Sequence, residues 1–157
     1  MTPDFLDIVL RLAAATGAGM ILGINRELKD KPAGVRTHAL VALGAAVIPL
    51  IASLPPTDGT SVSRALQGVI TGIGFLGAGV ILRKLEAGTV HGLTTAATIW
   101  LAAALGAACG LGYWSIAAVA AALALLILVL GVPFERQLRR QEGLDPADRE
   151  AREERRH

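Results

Sequence analysis

The chain has 157 residues, of which 53% are hydrophobic and only 18% charged, with a formal net charge of +2. A soluble domain of this length seldom has so few charges together with a positive mean hydropathy, so the composition indicates a membrane protein. The apolar residues form continuous runs rather than an alternating pattern, which excludes barrel strands and leaves helices as the spanning elements.

Five apolar runs are each close to the roughly 20 residues that a helix needs to cross a bilayer. They cover residues 5–24, 39–54, 65–82, 93–110 and 114–132. We therefore predict an all-α polytopic membrane protein with five transmembrane helices. The transmembrane domain is expected to cover residues 1–134, followed by a charged cytoplasmic tail, helical or disordered, at 135–157.

The first run begins with acidic rather than basic residues, which argues against a cleaved signal peptide. Asp7 and Arg11 are four residues apart, so the two side chains share one helix face and can form an ion pair. Charged residues within a membrane helix are costly and mark functional sites, but a pair near the helix end also has an ordinary structural explanation. Both interpretations stay open on the sequence alone.

The loop after the first run, "NRELKDKPAGVRTH" at 25–38, is the densest group of polar residues beside the membrane. Arg26, Arg36 and His38 are suited to bind a lipid head group or a phosphate, and Glu27 can pair with either arginine. Thr37 or His38 is expected at the N-terminal boundary of the second helix. The alternative is a solvated basic anchor without a ligand.

The third run repeats a phrase from the first: "GAGMIL" at 17–22 and "GAGVIL" at 77–82. The segments that follow, "GVRTHA" at 34–39 and "GLTTAA" at 92–97, also match each other. By analogy with Thr37 in the first copy, Thr94 or Thr95 is expected at the start of the fourth helix. Both copies begin on the same side of the membrane, so we predict a parallel repeat of two hairpins, with the fifth helix as an extra element. Shared composition is the alternative explanation.

Glycines spaced four apart lie on one helix face and allow another backbone to approach closely. Helix packing is therefore the expected role of these glycines, while local unwinding of the third helix is the alternative. The pairs spaced four apart are Gly19–Gly23, Gly68–Gly72 and Gly106–Gly110, and the predicted packing set also contains Gly74, Gly77 and Gly79 of the third helix.

Thirteen of the fifteen basic residues fall on one side if the N-terminus is outside, with Arg64 alone in the outer loops and Arg11 within the first run. Basic loops resist translocation, so the N-terminus is predicted outside and the tail in the cytoplasm. No catalytic motif, zinc spacing or magnesium cage occurs, so neither an enzyme nor a metal or other cofactor is expected. Cys109 is expected to be a buried small hydrophobe.

Three long segments together resemble the signature blocks of the MgtC/SapB family of bacterial inner-membrane proteins. They are "NRELKDKPAGVRTHALVALGAA" at 25–46, "GIGFLGAGVIL" at 72–82 and "VHGLTTAATIWLAAALG" at 90–106. The family positions that match are Arg26, Glu27, Gly34, Arg36, Thr37, Gly74, Phe75, Gly77, Gly79, Gly92, Leu93, Thr95, Ala96, Ala97 and Trp100. Asn25, Thr94 and Leu101 depart from residues found in family members.

The resemblance implies a protein of the bacterial inner membrane that regulates other membrane proteins, including the proton-translocating ATP synthase. It also implies a link to growth at low magnesium and to stress adaptation or virulence. The leading hypothesis is thus a non-enzymatic regulator in contact with lipids and partner helices, with self-association possible and no nucleic-acid partner. A transporter or channel for an ion or small ligand is the competing hypothesis, and recognition of a lipid or anion at the inner loop is a third.

Overall fold

The computed structural model describes residues 3–56, 59–82 and 92–141, and for 132–141 the backbone alone. Five α-helices follow one another in this part of the chain: α1 (Phe5–Glu27), α2 (Val35–Ala52), α3 (Gly59–Leu82), α4 (Leu93–Gly110) and α5 (Trp114–Gln141). The chain forms two units, Met1–Ala121 and Ala122–His157. Within the described residues, the first unit contains α1 to α4 and the start of α5, and the second contains the rest of α5.

The predicted fold class is confirmed, because all five helices are long and apolar enough to cross a membrane. Their ends differ from the apolar runs: α1 continues to Glu27, α2 begins at Val35 and α3 begins at Gly59. A helix continues through polar residues as long as its backbone hydrogen bonds are made, so hydropathy alone underestimates these lengths. α5 likewise extends beyond its apolar run, and the remainder of the tail, 142–157, lies outside the described residues.

A tight turn connects α1 to α2. The backbone N–H groups of Lys29 and Lys31 both donate to the carbonyl oxygen of Arg26, at 3.2 and 3.0 Å, which closes the last turn of α1. Asp30 and Ala33 then adopt left-handed backbone angles (φ 49° and 61°) on either side of Pro32. The chain reverses within a few residues, so the end of α1 and the start of α2 lie side by side.

Helix α2 is held between glycine faces of α1 and α4. A Cβ atom on Gly19 would overlap the carbonyl group of His38, and one on Gly106 would overlap that of Ala42. Gly23 and Gly110 repeat these contacts one turn away, against Val35 and Ala46 respectively. Close approach of two backbones requires the absence of a side chain at such positions, and Ala42 and Ala46 are completely buried as a result.

Helix α3 packs less closely, through a small apolar cluster that includes Ile73 and Ile99. Gly77 makes an ordinary contact with the Cβ atom of Ala96, at 3.6 Å. The other four predicted packing glycines of this helix have no described atom within 4 Å of the position that a Cβ would take. They are Gly68, Gly72, Gly74 and Gly79. The helix is continuous throughout, so the structure contains no local unwinding between Gly59 and Leu82.

The two repeated glycine-rich segments, 17–22 and 77–82, have different surroundings, because Gly19 contacts α2 closely while no described atom lies within 4 Å of a Cβ position on Gly79. The segments that follow them in the sequence, 34–39 and 92–97, have more similar positions: Gly34 is the N-cap of α2 and Gly92 is the N-cap of α4. Even there the backbone differs, since φ is −88° at Gly34 and +93° at Gly92. The parallel repeat therefore stays a prediction.

Candidate functional site

The end of α1, the start of α2 and the start of α4 meet at one end of the first unit, and their buried polar side chains form a connected group. Arg26 lies in the last turn of α1 with only 5% of its surface exposed. Its Nη2 donates a hydrogen bond to Oγ1 of Thr95, 2.9 Å away in the first turn of α4. Thr95 is itself 1% exposed. A guanidinium is always charged in proteins, so the contact places a full positive charge inside the helix packing.

His38 continues this group from α2 to α4. Its ring is fully buried, with Nδ1 3.0 Å from the carbonyl oxygen of Gly34 and Nε2 3.1 Å from Oγ1 of Thr98. The Thr98 hydroxyl also lies 2.9 Å from the carbonyl oxygen of Thr95. The Thr98 hydroxyl has one hydrogen, so it can donate only one of these two bonds. If it donates to Nε2, the ring is neutral. If it donates to the Thr95 carbonyl, Nε2 carries a hydrogen and donates to the Thr98 oxygen. Both protonation states of His38 therefore have a complete set of hydrogen bonds here.

Glu27 forms a hydrogen bond at the start of α2, and within the described residues it makes no ion pair with Arg26 or Arg36. Its Oε2 accepts a hydrogen bond from the backbone N–H of Val35 at 2.8 Å. Gly34, the N-cap residue, has no side chain to accept that bond, and a Cβ atom at Gly34 would overlap the Glu27 carboxylate. A negative group at a helix N-terminus also interacts favourably with the helix dipole. The carboxylate thus stabilises α2 and fixes the entry of the chain into it.

The other predicted loop residues lie outside the buried group. Arg36 and Thr37 are exposed and border a polar cleft of about 450 Å³, together with Glu27 and residues of the turn. Thr94 is also exposed, whereas its neighbour Thr95 is buried. The structure thus brings together Arg26, His38 and Thr95 of the predicted set and separates them from the other predicted residues.

Thr98 is not among the predicted site residues, because a threonine within a helix commonly bonds to the backbone of that helix. It makes that bond and contacts His38 as well. The spacing of three between Thr95 and Thr98 puts both on one face of α4, which is a signal that the sequence contained. Thr16 and Thr71 do bond to their own helices, at 2.8 and 2.9 Å.

The predicted charge pair occupies the opposite end of the same helices. Nε of Arg11 lies 2.8 Å from Oδ2 of Asp7, and Nη1 donates to the carbonyl oxygen of Gly110 at 3.1 Å. α4 ends here in a Schellman motif, in which Gly112 (φ 78°) and Tyr113 donate back to carbonyl groups of the last turn. A cation at the negative end of a helix dipole is stabilising, so the pair has a structural explanation.

An apolar cavity of about 250 Å³ lies between α3 and α4, bordered by residues such as Ile73, Trp100 and Tyr113. Its lining is almost entirely hydrocarbon, so it suits an acyl chain better than a polar solute. In the described ranges no three His, Cys, Asp or Glu side chains are placed to hold a metal ion. Cys109 is a buried free thiol, and His91 and His157 lie outside the described residues.

Comparison with known proteins gives one family. The model of the MgtC family matches residues 12–137. Protein SrpB of Synechococcus elongatus is 41% identical over 136 residues, covering 80% of this chain and 75% of the relative. Protein MgtC of Salmonella typhimurium is 45% identical over 122 residues, covering 78% of this chain and 49% of the relative.

An uncharacterized protein of Haemophilus influenzae is 37% identical over 147 residues, which cover 88% of this chain and 61% of the relative. The chain thus spans about half the length of the MgtC protein and three quarters of SrpB. No solved structure matches it.

Proposed function

The chain belongs to the MgtC family, and on that premise we propose that it is a non-enzymatic protein of the bacterial inner membrane that regulates other membrane proteins through helix contacts. The unequal distribution of its basic residues supports an orientation with the N-terminus outside and the tail in the cytoplasm. The resemblance adds a role under magnesium limitation and in stress adaptation or virulence, and names the ATP synthase as one partner.

The proposal rests on a pair of glycines on α3 that no described residue packs against closely. Gly68 and Gly72 face a shallow apolar groove of about 370 Å³ between α2 and α3, and Gly44 lies on the opposite side of it. No described atom lies within 4 Å of where a Cβ would be on any of the three. The groove therefore has room for the backbone of a further helix.

Elsewhere the chain uses the same spacing for close contacts within itself. Gly19 and Gly23 on α1, and Gly106 and Gly110 on α4, each press against the backbone of α2. Glycine costs about 1 kcal/mol relative to alanine in the interior of a helix, at least as measured in water. No described residue packs closely against Gly68 and Gly72, and a helix from another membrane protein best explains such a pair.

Substitution of a glycine that lines the groove provides the test. Gly72→Leu fills the groove, whereas Gly74→Leu makes the same change at an open position on the opposite face of α3. A photoreactive residue at Leu76, which borders the groove and is 46% exposed, should crosslink to a different membrane protein in cells. Gly72→Leu should abolish this product and Gly74→Leu should preserve it.

Two results would count against the proposal. A crosslinked product with twice the mass of the chain alone would assign the groove to self-association. An unchanged product with Gly72→Leu would show that the partner does not enter the groove. Reconstitution with purified ATP synthase then tests that partner directly, through ATP-driven proton pumping with and without the chain.

A transporter is the second candidate, favoured by the buried polar side chains of Arg26, His38 and Thr98 within spanning helices. Polar groups in such positions often belong to ion pathways. Flux measurements on the purified chain in proteoliposomes separate the candidates. Saturable movement of magnesium or protons would favour transport, and its loss in His38→Gln would assign the pathway to this group.

A further inference from the structure

We propose that the guanidinium of Arg26 and the first turn of α4 bind a phosphate group, supplied either by an anionic lipid or by free phosphate. The site is distinct from the groove between α2 and α3, so it does not depend on the function proposed above.

The first argument is the charge of Arg26. The side chain is 95% buried and its Nη2 donates to the neutral hydroxyl of Thr95, while none of the described residues accepts a hydrogen bond from its Nε. Among the residues that the structure describes, no carboxylate is in contact with it, because Glu27, next to it in sequence, accepts from Val35 instead. A buried charge is stable only with a compensating partner.

The second argument is the end of α4 at which this charge lies. The first-turn N–H groups of a helix carry partial positive charge, and the N-cap of α4 is Gly92, which has no side chain to accept from them. Arg26 donates into this same turn. The positive end of α4 thus holds a second positive group, in contrast to the negative end, where Arg11 lies beside Gly110. An anion between Arg26 and the turn satisfies both groups.

The third argument concerns the kind of anion. A guanidinium fork, backbone N–H groups and a threonine hydroxyl are the donors that phosphate oxygens recognise. Arg26 occupies the last turn of α1, and the ends of spanning helices lie near the membrane surface. Lys31 follows in the adjacent turn, and basic residues beside a membrane attract anionic head groups. Phosphate therefore fits the site better than a protein carboxylate.

The test uses the full chain, purified in detergent and stripped of lipid. Native mass spectrometry and the thermal unfolding midpoint are followed during titration with phosphatidylglycerol, with inorganic phosphate and with a phosphate-free glycolipid. We expect one saturable phosphate-bearing ligand per chain, with a rise in the midpoint, and no such effect of the glycolipid. Binding of phosphatidylglycerol alone identifies a lipid as the source, and binding of inorganic phosphate alone identifies the free anion.

Three variants locate the binding. Arg26→Gln should abolish it, and Arg26→Lys, which keeps the charge but loses the fork, should weaken it by about tenfold or more. Arg36→Gln removes an exposed arginine of the polar cleft and should leave it unchanged. If Arg26→Gln fails to fold, the Lys variant still decides, because an affinity equal to that of the wild-type chain would overturn the proposal.

Other outcomes would overturn the proposal directly. Equal loss of binding in Arg36→Gln would move the site to the cleft. Saturable binding of acetate at the same affinity would remove the preference for phosphate. Glu86 is the one acidic residue between α3 and α4 in the sequence and lies outside the described residues. If the wild-type chain binds no phosphate but Glu86→Gln does, Glu86 is the counter-charge of Arg26, and the wild-type chain has no phosphate site there, which overturns the proposal.

Discussion

Arg26 and Thr95, 69 positions apart in the sequence, share a buried hydrogen bond of 2.9 Å that connects the last turn of α1 to the first turn of α4. A donor that is charged and buried makes such a bond stronger than one between neutral groups. The contact therefore joins α1 directly to α4.

Thr95→Val should destabilise the protein, because it removes the described acceptor of Arg26 while keeping the shape of the side chain. The expected loss is about 1–3 kcal/mol of unfolding free energy, the usual cost of a buried donor without a partner. The measurement is unfolding of the detergent-solubilised chain at increasing sodium dodecyl sulfate. Thr94→Val is the matched control, since Thr94 is exposed and should change stability by less than about 0.5 kcal/mol.

Gly106→Ala should be destabilising by about 1–3 kcal/mol or more, because the new methyl group meets the backbone carbonyl of Ala42, which cannot turn aside. Gly79→Ala makes the same change in a helix at an open position and should be neutral or slightly stabilising. Equal effects of the two substitutions on the unfolding midpoint would contradict the close packing of α2 against α4.

Arg11→Gln should cost more stability than Asp7→Asn. The arginine loses both its ion pair with Asp7 and its bond to the Gly110 carbonyl, whereas the aspartate loses only a partly exposed pair, worth about 0.2–1 kcal/mol. Unfolding titrations at low and high salt check the assignment. If Asp7→Asn is the more harmful change, the ion pair rather than the helix end is the important contact.

His38 and Thr98 should be energetically coupled. His38→Leu leaves the hydroxyl of Thr98 with one partner fewer, and Thr98→Val leaves Nε2 of His38 unpaired. The double variant should therefore be more stable than the sum of the single effects, by about 0.5–3 kcal/mol. A coupling energy of zero in this double-mutant cycle would mean that the 3.1 Å contact contributes nothing to stability.

The five helices were predictable because a run of about 20 apolar residues has few alternatives in a membrane. The contacts of the polar residues were not. Arg26 and Arg36 lie in the same basic segment, and only the three-dimensional arrangement decides that Arg26 is buried while Arg36 is exposed.

The contacts of the glycines were likewise not predictable from the sequence. The pairs Gly19–Gly23 and Gly68–Gly72 have identical spacing, yet one presses against α2 and the other faces an open groove. Spacing shows which residues share a helix face, but not which neighbour that face meets. The sequence groups Arg26 and Arg36 in one polar loop, and only the structure shows that Arg26 lies beside Thr95.

The two arginines of α1 have a mechanical consequence. Arg11 bonds to Gly110 and Arg26 to Thr95, so contacts fifteen residues apart on α1 match positions fifteen residues apart on the antiparallel α4. Sliding one helix along the other by a single turn, about 5.4 Å, would break both bonds at once. The two bonds together thus oppose axial movement of this pair. Among the first four helices, α3 has the most glycines without close contacts, so it is the one of these four that can move with the least disruption of close packing.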